Sequence, residues 1–196
     1  MSDREALEAE VRARCDRADH AGAAAAIVRG YGPEVIPFLA SLLRSTDDDL
    51  AEAFSIFCED VMRGLPRFRF ASSVRTWVYT LARHAASRMR RGDRRRGKRI
   101  SLPGELHDLA EAVRSSTVEY MRTAVKDKLA LARERLGDEE RSILMLRVDR
   151  QLGWRDIARI LADDELDDDA LRKREQTLRK RFETIKRHLK EHLNEP

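Results

Sequence analysis

Apolar residues recur every three or four positions along most of this chain. Between Val118 and Leu136 the series Val118, Met121, Val125, Leu129, Ala132 and Leu136 keeps that interval, and Leu171, Leu178, Phe182, Ile185, Leu189 and Leu193 repeat it near the end. Such spacing puts one apolar stripe on each of several α-helices. Aromatics are 6% of the 196 residues and charged residues 38%, so the stripes consist mainly of Leu, Ile, Val and Ala. That composition suits thin helical bundles, and the chain reads as all-α with two small helical domains.

Breakers and caps divide the chain further. Arg4 to Arg29 reads as one helix ended by Gly30 and Gly32, and a second follows Pro33 with Val35, Ile36, Leu39, Leu42 and Leu43. Ser45 to Asp49 supply the cap and acidic first turn of a third helix, from about Leu50 to Gly64. After Pro66, Ser72 or Ser73 caps a fourth with Val74, Trp77, Val78, Leu81, Ala82 and Ala85. Gly92, Gly97, Pro103 and Gly104 then punctuate a polar stretch read as a basic flexible linker over 92–116, between domains at 1–91 and 117–196. Beyond the helix from Val118, Asp138 caps a segment with Ile143, Leu144 and Val148, and Gly153 opens a short helix with Trp154, Ile157, Ala158 and Leu161.

The net charge of +4 conceals blocks of one sign. Eight of the twelve residues from Arg88 to Arg99 are Lys or Arg, and nine more lie between Arg172 and Lys190. Such blocks point to an anionic partner, although a basic helix is also a common solvated face. Cys15 and Cys58 form no Cys-x-x-Cys pair, which argues against a disulfide framework or zinc site and for a reducing, cytoplasmic setting. Residues Met1 to Arg17 alternate in charge and hold no apolar run of signal-peptide or membrane-span length. The histidines are scattered, with His188 and His192 the one i, i+4 pair; no catalytic arrangement, metal site or cofactor is predicted.

The segment Leu152 to Leu161, a turn region and a long basic amphipathic helix have the layout of a C-terminal helix-turn-helix. Around its apolar stripe the last helix carries Arg172, Lys173, Arg174, Gln176, Thr177, Arg179, Lys180 and Arg181. Arg pairs bidentately with guanine and Gln with adenine, while Lys and further Arg neutralise phosphates. Against this, Ala162 to Asp169 carry six acids that DNA would repel.

Pro66-Arg-Phe-Arg-Phe-Ala-Ser-Ser-Val-Arg-Thr-Trp-Val-Tyr-Thr-Leu-Ala-Arg-His84 resembles the most recognisable stretch of the extracytoplasmic-function sigma factors of the sigma-70 family. Leu136-x-x-Glu-Glu-Arg141, Ile-Leu-x-Leu-Arg147 and Arg-Lys-Arg-Phe182 are similar to that family's region four. The resemblance implies a transcription initiation factor that is not an enzyme. Its first domain would bind core RNA polymerase at the clamp and open the downstream promoter element, and its second would read upstream duplex DNA near the polymerase flap. Trp77 and Tyr79 would support an unpaired base, with Arg75, Arg83 and Arg88 on the phosphates and Thr76 and His84 beside them. His84 replaces the family's usual Asn. Trp77 also lies on the packing stripe with Val74, Val78 and Leu81, where a core role is equally open.

The polymerase-binding helix departs from the family's pattern. Ala51-Glu52 stand where an acidic pair is usual, Ser55-Ile56 at Gln-Glu, and Cys58 and Met62 at two aromatics. Asp49, Glu52, Ser55, Ile56, Glu59 and Met62 are the candidate contacts. Phosphorylation of Ser55, Thr46 or Ser45 would restore negative charge there, which makes a kinase, like an anti-sigma factor, a possible partner. Two rival readings remain: a dimeric helix-turn-helix regulator binding duplex DNA alone, and a regulator that occupies the polymerase clamp.

Overall fold

A computed structural model of the chain describes residues 2–43, 46–91, 102–123 and 135–194. All regular secondary structure among them is helical, as the apolar spacing predicts. The described residues hold eight α-helices, in order: α1 (Asp3–Asp16), α2 (His20–Leu43), α3 (Asp47–Gly64), α4 (Val74–Arg90), α5 (Gly104–Thr123), α6 (Asp138–Leu144), α7 (Trp154–Ile160) and α8 (Asp168–Asn194). A 3-10 turn, Leu65–Arg67, follows α3, and a π-helical turn, Met145–Asp149, follows α6. The chain divides into two compact units, Met1–Arg122 and Thr123–Pro196. None of the described helices is long and apolar enough to cross a membrane.

In the first unit α2 is the central helix, packed against α1, α3 and α4. It differs from the sequence reading, because it runs unbroken through Gly30, Gly32, Pro33 and Pro37. An interior proline costs a helix about 3 kcal/mol through its missing N–H and its ring clash. Ile27, Val28, Val35, Ile36, Phe38 and Leu39 of the same helix are fully buried, at about 1.5–3 kcal/mol each, which together exceeds the cost of both prolines. The glycines mark close approach instead of termination. A Cβ on Gly30 would come within 2.3 Å of Leu7 on α1, and one on Gly32 within 2.7 Å of Val113 on α5.

The break between the first two helices falls earlier than predicted, at 17–19. Ala18 is left-handed there (φ 58), and the Asp19 side chain accepts the Gly22 N–H at 2.9 Å, capping α2. Thr46 caps α3 by accepting the N–H of Asp49 (3.3 Å), and Ser73, rather than Ser72, caps α4 by accepting that of Thr76 (3.0 Å).

The predicted linker is also revised in part. Residues 92–101 lie outside the described ones, but Gly104 opens α5, a helix whose Leu106, Ala110, Thr117 and Val118 are buried. The intervals of four from Leu106 to Ala110 and seven from Ala110 to Thr117 are helical; the glycine and proline punctuate only the start of the helix. Val125, Leu129 and Ala132 lie outside the described residues.

The second unit packs α6, the π-helical turn, α7 and α8 around Ile143, Leu146, Ile157, Ile160, Leu178 and Ile185. Gly137, not Asp138, is the N-cap of α6, and the Glu140 carboxylate accepts the Gly137 N–H at 3.1 Å. Val148 is exposed on the π-helical turn instead of packing with Ile143 and Leu144.

Candidate nucleic-acid and polymerase interface

The loop 68–73 and the helix it feeds form the first candidate surface. Phe68 stacks on Trp77 (centroids 4.5 Å apart, 19° between planes) and tilts against Phe70 at 4.6 Å. The guanidinium of Arg12, on α1, lies 4.8 Å from the centre of the Phe70 ring. Four side chains thus form a half-exposed ladder: Arg12, Phe70, Phe68, Trp77. Phe70 adopts left-handed backbone (φ 55), a strain on the order of 1–3 kcal/mol for a bulky residue. The Phe68-x-Phe70 pair was visible in the sequence but became a ladder only through Trp77 and Arg12.

Three candidate DNA contacts are corrected by burial. The Arg75 guanidinium donates to Glu34 Oε2 at 2.6 and 3.1 Å and is 7% exposed. Thr76 is buried with its hydroxyl 2.9 Å from that of Ser73. Tyr79 is fully buried, donates to the same Glu34 oxygen at 3.1 Å and packs edge-on against Phe38 at 5.2 Å. These groups cannot reach a DNA strand without unpacking α4 from α2. Their stripe is one turn of helix shared with Val74 and Val78, so the core takes them.

Trp77, Arg83, His84 and Arg88 are half-exposed on α4. Arg88 is ion-paired with Asp60 of α3, and Arg63 donates to the same carboxylate at 3.1 Å. Burial raises the Asp60 carboxyl above its ordinary range, and the nearby Arg88, Arg63 and His84 oppose that rise. From sequence Asp60 is only one of the acids, with Glu52 and Glu59, that keep a clamp contact plausible, because no local pattern links it to a residue on another helix.

The N-terminus of α4 is held from a distance. Glu8 of α1 accepts the N–H groups of Val74 (2.8 Å) and Arg75 (3.0 Å) and the hydroxyl of Tyr31 (3.0 Å). Burial and the Glu8 carboxylate together push the Tyr31 phenol well above its ordinary value. Glu8 and Glu34 are functional-site neighbours that spacing alone did not single out.

On α3, the inward stripe is Leu50, Ala53, Phe54, Phe57, Cys58 and Val61. Asp49, Glu52, Ser55, Ile56 and Met62 are half-exposed on the remaining face in one strip, the first four following one another at i, i+3, i+4 and Met62 lying two turns beyond Ser55. Glu59 is corrected: at 9% exposed and 3.9 Å from Arg63, it is a buried flank of that strip. Thr46 is committed to its cap, and Ser45 lies outside the described residues.

In the second unit, α7, the turn 161–167 and α8 follow one another. Trp154 packs edge-on against Phe182 at 5.4 Å, under the Arg147 guanidinium at 5.0 Å, so α7 is anchored to α8. The acidic turn is partly neutralised from within: Asp168 pairs with Arg155, Asp169 with Arg172 at 3.3 Å, and Asp167 accepts the Ala170 N–H at 2.8 Å. Arg174 is half-exposed and donates to the Leu161 carbonyl that ends α7. Arg172, Lys173, Gln176, Thr177, Arg179 and Lys180 are exposed. Lys173, Gln176, Thr177 and Lys180 share one face through their spacing of three and four. The Arg179–Glu175 contact at 3.7 Å joins an exposed arginine to a half-buried carboxylate and is worth about 1 kcal/mol, which a phosphate can replace.

Among the described residues no group of three or more His, Cys, Asp or Glu side chains could hold a metal ion.

Residues 27–96 match the family described as Sigma-70 region 2. The chain is also similar to the RNA polymerase sigma factor YlaC of Bacillus subtilis (strain 168), 29% identical over 139 residues that cover 69% of this chain and 77% of that protein. No solved structure matches significantly.

Proposed function

We propose that this chain is a sigma factor of the sigma-70 family, of the extracytoplasmic-function type, and that its surfaces divide the work of promoter recognition. It is a transcription initiation factor that directs RNA polymerase to promoters, and its partners are core RNA polymerase and promoter DNA. The half-exposed strip of α3, from Asp49 to Met62, docks on the polymerase clamp. The ladder Phe70–Phe68–Trp77 and the cations of α4, Arg83 and Arg88, hold the separated downstream strand, because aromatic faces stack bases and guanidinium groups neutralise phosphates. The exposed face of α8, with Lys173, Gln176 and Lys180, enters the upstream duplex as the second helix of a helix-turn-helix. All three are binding steps, and no bond is made or broken by this chain.

The observation that carries the division is the Phe68–Trp77 stack at 4.5 Å, inside the matched region and half-exposed on the helix that also carries Arg83 and His84. Ser55 is the better placed of the phosphorylation candidates. It sits mid-strip, whereas a phosphate on Thr46 would disrupt the α3 cap and face Asp47, Asp48 and Asp49.

Run-off transcription with core polymerase and a library of genomic promoter fragments tests the proposal, with the protein unmodified, kinase-treated, or carrying Ser55→Asp. Start sites sharing two spaced elements are expected. Starts only after treatment assign a phosphorylation switch. Duplex binding by the protein alone with no starts under any condition would replace the proposal with a conventional regulator.

A further inference from the structure

Helix α1 lies outside the segment 27–96 that matches Sigma-70 region 2, yet it grips the loop that leads into α4 at two points. Glu8 and Arg12 are one helical turn apart and share a face of α1. Arg12 covers Phe70 in the middle of the loop, and Glu8 accepts the N–H groups of Val74 and Arg75 just past its end. Between these two points run Ala71, Ser72 and Ser73. Leu7, seated in the notch left by Gly30, fixes the height of α1 against α2, so the two grips are held in register with the core.

The two contacts do different physical work. Phe70 has left-handed backbone, a conformation that persists only when its surroundings hold it, and its ring is held by Phe68 on one side and by the Arg12 guanidinium on another. Glu8 places a carboxylate at the N-terminus of α4. An uncovered helix N-terminus attracts phosphate through its free N–H groups and dipole. With Glu8 in place, that end of α4 is occupied and negative, and a captured strand is turned toward the ladder and the cations further along the helix.

We infer that α1 is the positioning element of the strand-capture loop, with Glu8 and Arg12 as the positioning residues that set how sharply the downstream promoter element is discriminated. The inference rests on the strand-capture role proposed above for the loop and α4.

The test measures transcription from one promoter and from the same promoter with its downstream element scrambled, using the full-length chain and core polymerase. The ratio of the two reads discrimination and does not depend on the fraction of protein that is folded. Arg12→Ala and Glu8→Gln are expected to narrow the ratio by roughly three- to tenfold, while Arg12→Lys, which keeps a cation over the ring, retains most of it. Polymerase affinity, measured by competition for core enzyme, stays as in the wild type. Unchanged ratios in both Arg12→Ala and Glu8→Gln overturn the inference. A wild-type protein that starts no transcript, or whose starts ignore the downstream element, overturns the strand-capture reading instead.

Discussion

Arg75 and Glu34 form a two-point ion pair between α4 and α2, with distances of 2.6 and 3.1 Å, at a place where the arginine side chain is only 8% exposed. Glu34 also receives the Tyr79 hydroxyl and lies 3.5 Å from Arg4, so one carboxylate joins three helices. The arginine of the Arg-Thr-Trp motif is therefore a fastener of the first unit.

Removing Arg75 takes the near cation from the Glu34 carboxylate, which keeps the Tyr79 hydroxyl and the more distant Arg4. Arg75→Ala should destabilise the first unit by about 3 kcal/mol, measured by urea denaturation followed by circular dichroism. Weakened DNA binding at unchanged stability would return Arg75 to the strand-contacting set.

Asp60 makes stability depend on pH in a defined direction. Burial raises its carboxyl above the ordinary 3.8, so the folded protein holds that proton at pH values where the unfolded chain has released it. Its contribution is most favourable at low pH and falls as pH rises through the window above 3.8. The stability of wild type relative to Asp60→Asn should therefore decline across that window, as read from denaturation midpoints in a pH series. A relative stability that climbs with pH would mean that Arg88 outweighs burial.

Gly64 supports the aromatic ladder by leaving space. A Cβ there would sit 2.6 Å from Cζ2 of Trp77. Gly64→Ala should push the indole off Phe68, with an overpacking cost of about 1–3 kcal/mol offset in part by about 1 kcal/mol of helix propensity. In a Trp154→Phe background, the change should appear as a shifted Trp77 emission; an unaltered spectrum would show that the indole has room to yield.

Two basic residues of α8 should separate by phenotype. Lys180→Ala is expected to weaken duplex binding and lower the salt dependence of that binding by about one counterion, with stability within about 0.5 kcal/mol of wild type. Arg174→Ala removes a donor from the carbonyl ending α7 and should lower the melting temperature of the second unit. Equal thermal stability of the two variants would contradict the separation.

Much of the architecture was legible from spacing alone. The stripes of α3, α4 and α8 point where the apolar residues predict, since burying a continuous stripe is the dominant favourable term for an amphipathic helix. Ser73 and Thr46 were legible as caps within a residue or two, because a cap is a contact between near neighbours in sequence. Gly30, Gly32 and Pro33 misled for the opposite reason: their local tendency is to stop a helix, and the burial of α2 between three other helices outweighs it.

The amino-acid sequence by itself determined that this chain is helical, that its cations gather over 88–99 and along α8, and that Pro66 to His84 resembles a sigma-factor motif. Only the tertiary structure decided which motif residues face outward. Arg75, Thr76 and Tyr79 turn into the core while Trp77, between them, stays half-exposed on Phe68. Glu8, Glu34 and Asp60 acquire their partners from other helices, up to 67 positions away along the chain. Periodicity reports which side of a helix is apolar; which polar group is buried depends on a partner being present to satisfy it, and that partner is supplied by packing.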